Sequence, residues 1–414
     1  MKILFTVESY LPARSGMQEV VMQLSERLVK RGHELTIATS GNSNRKSNII
    51  NGVNVQGFNI DGNSVLGYNG DIESYRQYLL NADFDIVVNF AAQQWATDLA
   101  LPLIKKIKGK KVFVPTGFSG LNNPLYESYY EKMGEWLRSY DVNVFLSDKY
   151  RDINFARNNS VDNYIIIPNG AATEEFENSE EEDIRKQLGI KEHQFMILQV
   201  GAFTGAKGQL ESMRIFNKAR IKDAVLVLAG NDMHQHSIYA GVANFIKLLV
   251  SGVSNFRPRG IRYYKIMALL SNYLNYRNRL RRKSVTVIEL ERRDVVAAFK
   301  SADLFLFPSM IECSPIVLFE SMAGKTPFLT ADVGNASEII QWTGGGMILP
   351  TSIGRDGMSY VNIRDSATLL ETLWMNKQLR KEMAEKGYSG FLESFTWEKI
   401  TGKYEDLFMQ LYTQ

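Results

Sequence analysis

Short apolar runs alternate with helical segments along this chain, and the alternation starts twice. Residues 3–7 form the first run; a turn-rich stretch leads to Gly16, and Met17, Val20, Val21, Leu24 and Leu28 then share one helical face. Gly32 stands where a helix C-terminal glycine belongs, and the run at 35–39 completes a βαβ opening. Further runs at 86–90, 112–114, 142–146 and 164–167 alternate with helical segments, as a parallel sheet with helical crossovers requires. After Pro168-Asn169-Gly170 and an acidic stretch at 174–183, the pattern begins again. Runs at 196–200, 225–229, 285–290, 304–307 and 327–330 predict a second set of strands. A length of 414 residues suits two domains better than one core. The expected class is α/β, with two Rossmann-like domains facing across a cleft.

Composition narrows the class further. A chain that is 45% hydrophobic and 22% charged can bury a full core, which excludes a wholly disordered protein. Cys313 is the single cysteine, so no internal disulfide framework exists, and the four histidines offer no zinc ligand set. A reducing, cytoplasmic compartment fits. The apolar run at 3–7 is too short for a signal peptide or a membrane span and reads as a buried strand.

Open parallel sheets bind ligands at the carboxyl ends of their strands, so chemistry is expected in strand-end loops. Asp83 and Asp85 look like a metal-binding pair, but they precede their strand and lie at the wrong edge. The segment after 304–307 is better placed. A helix starting near Ser314 or Pro315 would turn its free N–H groups toward the strand edge, where an anion is the natural guest. Glu312 lies in the loop before that helix and Glu320 about two turns into it, at two levels of one wall.

With Pro308-Ser309 before it, Pro315 between the two glutamates, and Glu320-Ser321-Met322-Ala323-Gly324 and Pro327 after, this segment resembles the motif of the retaining glycosyltransferases of family 4, which have the two-domain GT-B fold. Val200-Gly201 with Lys207-Gly208 is similar to that family's diphosphate loop, Ile167-Pro168-Asn169-Gly170 to its interdomain signature, and 395–407 to its last helix, which crosses back to the first domain. The resemblance implies an N-terminal acceptor domain, 1–172 completed by 395–414, and a donor domain, 173–394. It implies that Glu320 binds the donor ribose and Glu312 the transferred sugar. The backbone of Ser314, Pro315, Ile316 and Val317 would hold sugar hydroxyls and the distal phosphate, with Gly16 and Gly201 approaching the phosphates. Lys207 would neutralise the leaving group, so Lys207 and Glu312 are the catalytic candidates. No metal or other cofactor is implied, since the nucleotide sugar is a substrate.

Three positions depart from the family pattern. Ala202 stands where an arginine usually follows the glycine, Ser15 where a second glycine is common, and Thr116 where many relatives have histidine. The expected activity is transfer of a sugar from a UDP- or GDP-sugar to a glycan, lipid-linked or other acceptor, in cell-surface polysaccharide or glycoconjugate synthesis. A nucleotide-sugar epimerase of the same architecture and a catalytically weak donor-binding subunit are the alternatives. Cys313, although inside the motif, has no histidine near it in sequence and reads as a small packing residue.

One segment falls outside the resemblance. Every charged residue from 238 to 283 is basic: Lys247, Arg257, Arg259, Arg262, Lys265, Arg277, Arg279, Arg281, Arg282 and Lys283. Ile238, Val242, Phe245, Ile246 and Leu249 share one helical face, and Tyr263, Ile266, Met267, Leu270, Tyr273 and Leu274 another. Three occupants fit this insert: its own domain, an anionic membrane surface on the inner leaflet, or a polyanion or partner protein. No nucleic-acid-binding module surrounds it.

Overall fold

The computed structural model describes residues 1–12, 16–177, 183–230 and 261–414. It comprises two compact units. Unit 1 is Met1–Ala172 with Cys313–Ile316 and Ser394–Gln414, and unit 2 is Thr173–Glu312 with Val317–Glu393.

In chain order, unit 1 has strands β1 (Lys2–Thr6), β2 (Glu34–Ser40), β3 (Ile49–Ile50), β4 (Val53–Phe58), β5 (Ile60–Asn63), β6 (Gly67–Gly70), β7 (Ile86–Phe90), β8 (Lys110–Val114), β9 (Val142–Phe145) and β10 (Tyr164–Ile166). Its main sheet runs β10-β9-β8-β7-β1-β2-β4-β3. All neighbours in it are parallel except β3, which pairs antiparallel with β4. Strands β5 and β6 form a separate hairpin.

Side chains alternate across a strand, so β1 feeds two cores. Ile3 and Phe5 join Val20, Val21 and Leu24 of the helix Gly16–Lys30 and Trp397, Tyr404 and Phe408 of the helix Trp397–Thr413. Leu4 joins Val87, Tyr75, Trp95 and Met133 on the other side. The C-terminal helix is therefore part of the unit 1 core. Thr396 caps it through its side chain, and Gly170-Ala171 lies against the 395–396 backbone.

Unit 2 has β11 (Phe195–Val200), β12 (Ala224–Ala229), β13 (Lys283–Ile288), β14 (Leu304–Phe307), β15 (Phe328–Thr330) and β16 (Gly346–Ile348), with a hairpin of β17 (Thr351–Ile353) and β18 (Ser359–Val361). The sheet is wholly parallel in the order β13-β12-β11-β14-β15-β16. The chain winds outward from β11 in one direction and from β14 in the other, which makes their junction a topological switch point.

The basic insert differs from its sequence reading. Residues 238–260 lie outside the described residues, as does Ser15. The helix Ile261–Arg277 buries Tyr263, Met267 and Leu274 in the unit 2 core, but Ile266 and Tyr273, expected on the same face, are exposed. Lys283 is not a surface cation. It begins β13 fully buried, and its ammonium donates to the carbonyls of Phe216 and Ala219 while lying over the Phe216 ring. Burial lowers its pKa to about 8. No helix among the described residues is long and apolar enough to cross a membrane.

Candidate active site

The switch point of unit 2 brings two loops together at the carboxyl edge of the sheet. One follows β11 from Gly201 to Gly208 and enters the helix Gln209–Lys218; the other follows β14 from Pro308 and leads to the helix Ile316–Ala323. Buried polar side chains lock the first loop. Gln199 Nε2 donates to the Lys207 carbonyl at 2.6 Å, and Gln209 Nε2 to the carbonyls of Gly201 and Ala202, both at 3.0 Å. Met310 N donates across to the Ala206 carbonyl at 2.9 Å. Gly208 makes this interlock possible: its φ is +77°, and a Cβ there would lie 2.1 Å from the Pro308 carbonyl oxygen.

The result is a close pair. Lys207 Nζ lies 2.6 Å from Glu312 Oε1, and the Ser309 hydroxyl donates to the same oxygen at 2.7 Å. Lys207 remains partly exposed while Glu312 is mostly covered, so an ammonium is presented at the strand edge with its orientation fixed from below. A compact cation beside a helix N-terminus is suited to a polyphosphate.

Glu320 occupies a different setting. It lies in the helix Ile316–Ala323 with only 7% of its side chain exposed, and its carboxylate is 2.5 Å from the Arg292 guanidinium. The same arginine holds Glu175, its Nε donating to Oε2 at 2.9 Å. Arg292 opens the helix Arg292–Ser301 after β13. Nothing in the sequence pattern marks it as a partner of Glu320, because the pairing is made by the order of strands in the sheet.

Other sequence-predicted residues fall in unit 1. Ser314 is buried, with the Asn169 amide Nδ2 donating to its carbonyl at 2.8 Å and Asn169 N to its hydroxyl at 3.3 Å. Pro315 is buried beside it, and Ile316 is half-buried against the unit 1 core. Val317, half-buried, begins the return to unit 2. Gly16 is exposed at the start of its helix, with open space where a Cβ would stand.

The loop after β8 carries Thr116 and Gly117 at positive φ, 61° and 104°. A Cβ on Gly117 would come within 2.9 Å of the Cys313 Cβ, so Cys313 is packed tightly against this turn. Beneath it, the fully buried Asp152 accepts from Ile153 N at 3.0 Å, and burial raises its pKa to about 6. A second network escapes sequence reading. Asp98 accepts from Tyr129 OH at 2.7 Å and from Gln93 N at 3.1 Å, which fixes the loop after β7 with Ala91 and Gln93 at positive φ.

Asp85, the decoy carboxylate, accepts from Lys2 N at 2.7 Å at the amino edge of unit 1. Among the described residues no cluster of three or more His, Cys, Asp or Glu side chains could hold a metal.

Two Rossmann-type units, the second with a lysine–glutamate pair at its switch point and a paired carboxylate in the helix beyond, have the architecture of a GT-B transferase. The family model Glycosyltransferase Family 4 matches residues 14–175, and Glycosyl transferases group 1 matches 273–390. An uncharacterized glycosyltransferase of Methanocaldococcus jannaschii is 24% identical over 358 residues, 82% of this chain and 83% of that protein. Sucrose-phosphate synthase from Thermosynechococcus elongatus matches with a TM-score of 0.76 at 16% identity, covering 100% of this chain and 99% of that one. HepE from Anabaena, solved in complex with UDP and glucose, gives 0.71 at 14% identity, covering 99% and 100%. The chain belongs to the group 1 glycosyltransferases of GT-B fold.

Proposed function

We propose that this glycosyltransferase moves a hexose or related sugar from a UDP- or GDP-sugar to a glycan, lipid-linked or other hydroxyl acceptor, with retained anomeric configuration. Cell-surface polysaccharide or glycoconjugate synthesis is the fitting context. The observation that carries this reading is the Lys207–Glu312 pair at 2.6 Å, set where the glycine loop enters a helix N-terminus. Donor chemistry is supported by HepE, solved with UDP and glucose.

In this reading the bond from the sugar anomeric carbon to the distal phosphate oxygen breaks, and the acceptor oxygen bonds that carbon on the same face. The acceptor proton goes to the departing phosphate, leaving a nucleoside diphosphate. Negative charge grows on the phosphate as the bond breaks, so Lys207 and the backbone amides near it act most strongly in the transition state. Glu312 fixes the ammonium and meets sugar hydroxyls with its free lone pairs. Glu320 accepts from the ribose hydroxyls, and Gly16, Gly201 and the amides of Ser314 to Val317 complete the donor contacts. No metal is required, because Lys207 and the helix end supply the positive charge.

Ala202 next to Gly201 leaves Lys207 as the one side-chain cation of its loop, and this favours the second reading, a donor-binding subunit of low activity. Two measurements decide. Thermal stabilisation by UDP, GDP and ADP identifies the base, since a ligand of the native state raises its stability with occupancy. Release of free nucleotide from the matching sugar donor distinguishes an enzyme from a binder. Stabilisation by none of the nucleotides, together with no release, overturns the donor reading.

A further inference from the structure

We propose that the outward face of the helix Ile261–Arg277, with the turn Arg279–Arg281 after it, docks on an anionic lipid surface. The buried face of this helix is settled: Tyr263, Met267 and Leu274 pack into unit 2. What remains outside includes an apolar line. Ile266, Leu269, Tyr273 and Tyr276 follow at steps of three and four residues, which puts them on one line, and Leu280 continues it in the turn. Leu269 is 71% exposed, Tyr276 83% and Leu280 99%. From Ile266 to Tyr276 the stripe runs about 15 Å along the helix.

The charges beside the stripe have one sign. Lys265, Arg277, Arg279 and Arg281 are exposed along it. Asp223 N donates to the Arg281 carbonyl, so the turn before β12 adds exposed Arg220 and Lys222 at the same sheet edge. Two acids of that edge are engaged: Asp223 pairs with Arg282 at 2.6 Å, and Glu371 accepts from Arg220 N at 2.7 Å. A helix with apolar and tyrosyl side chains on one line and cations at its margins lies in a headgroup boundary, its rings and leucines sunk and its charges at the phosphates. A second protein surface would be expected to meet these cations with scattered carboxylates; a bilayer offers uniform negative charge above a continuous apolar layer. The turn lies at the amino edge of the sheet, opposite the Lys207–Glu312 edge. None of the stripe or turn residues belongs to the Gly201–Gly208 loop or the Glu312 segment, so the inference is independent of the donor reading.

Flotation of the full chain with phosphatidylcholine vesicles containing about a third phosphatidylglycerol tests it. Binding is expected at low salt, with at least tenfold less in pure phosphatidylcholine. Each basic side chain at such a surface is worth about fivefold in partition, so Arg279→Gln with Arg281→Gln should weaken binding on the order of tenfold or more. Leu269→Ser with Tyr276→Ser should weaken it similarly, and because these side chains are exposed, the thermal midpoint should stay unchanged. Donor hydrolysis without vesicles should be the same in all variants, which separates this result from any failure of the donor reading. No flotation of the wild type at low salt overturns the proposal, as does flotation untouched by both variants. So does a dimer in sedimentation velocity that Leu269→Ser dissolves, since a second copy would then be the occupant.

Discussion

The Arg292 guanidinium lies 2.5 Å from the Glu320 carboxylate and also holds Glu175, so the carboxylate proposed to receive the ribose is already charge-paired and aimed. The pairing fixes the direction of a mostly buried carboxylate and leaves its remaining lone pairs for hydroxyl donors. Glu320→Ala should weaken UDP or GDP binding by about 1–3 kcal/mol, the cost of leaving covered hydroxyls unpaired. Glu320→Gln should lose less. In Arg292→Ala the carboxylate stays buried without its cation, so donor KM should rise more than kcat falls, and unfolding stability should drop by about 1–2 kcal/mol. Calorimetric titration and urea unfolding check these outcomes; unchanged nucleotide affinity in Glu320→Ala removes Glu320 from the site.

Lys207 is expected to matter for turnover more than for binding. Its partner Glu312 offsets its charge in the resting site, and full benefit comes only as the departing phosphate gains charge. Lys207→Ala should reduce kcat on the order of a hundredfold while changing donor affinity less. The double variant with Glu312→Ala should lose less than the sum of the two single losses, because the groups touch. Equal turnover in wild type and Lys207→Ala would dismiss the role.

Gly208 ties the two loops by backbone alone. At φ +77°, with a would-be Cβ 2.1 Å from the Pro308 carbonyl, no rotamer change can relieve Gly208→Ala; the chain itself must shift. The loss should be more than about 1 kcal/mol of stability, with donor binding weakened because Lys207 and Glu312 separate. Normal affinity in a folded Gly208→Ala protein would show that the interlock does not set the site.

Activity should survive EDTA. Asp85, the carboxylate that most suggests a metal site in the sequence, is occupied by Lys2 N at the edge opposite the strand-end loops. Loss of turnover restored by Mg²⁺ or Mn²⁺ would refute metal independence.

Continuous apolar runs made the strands legible: β7 and β14 are buried along their whole length and fall where the sequence puts them. Strand β4 escapes because Val53-Asn54-Val55-Gln56-Gly57-Phe58 mixes polar residues and a glycine into a half-buried strand. The helix Ile261–Arg277 is apolar on two sides, so periodicity finds the helix but not the side that packs. Lys283 reads as surface charge, yet its four-carbon stem enters the core and two carbonyls receive its ammonium. Lys207 and Glu312 are legible as a motif, whereas Arg292 beside Glu320 is not. Charge pairs across strands depend on sheet order, which no local pattern encodes.

Asp152 gives the fold a pH signature. Burial raises its carboxyl to about 6 from an ordinary 3.8, against the pull of backbone amides at Ile153 and Gly117, and its Oδ2 has no hydrogen-bond partner among the described residues. A folded pKa above the unfolded one means that the native state binds the proton more tightly. The contribution is therefore full below about pH 4 and is lost as pH rises through about 6, leaving a buried carboxylate at a cost on the order of 2–3 kcal/mol. Asp152→Asn cannot titrate, and its amide oxygen can still receive the Ile153 and Gly117 N–H groups. Any penalty from its NH₂ group is the same at every pH. Hence the wild type should lose stability relative to Asp152→Asn by roughly that amount between pH 4 and pH 7, measured by urea unfolding of both proteins. A stability difference that stays flat over this range would show that the carboxyl is ionised throughout. The turn carrying Thr116 and Gly117 against Cys313 would then rest on a charge rather than on a protonated acid.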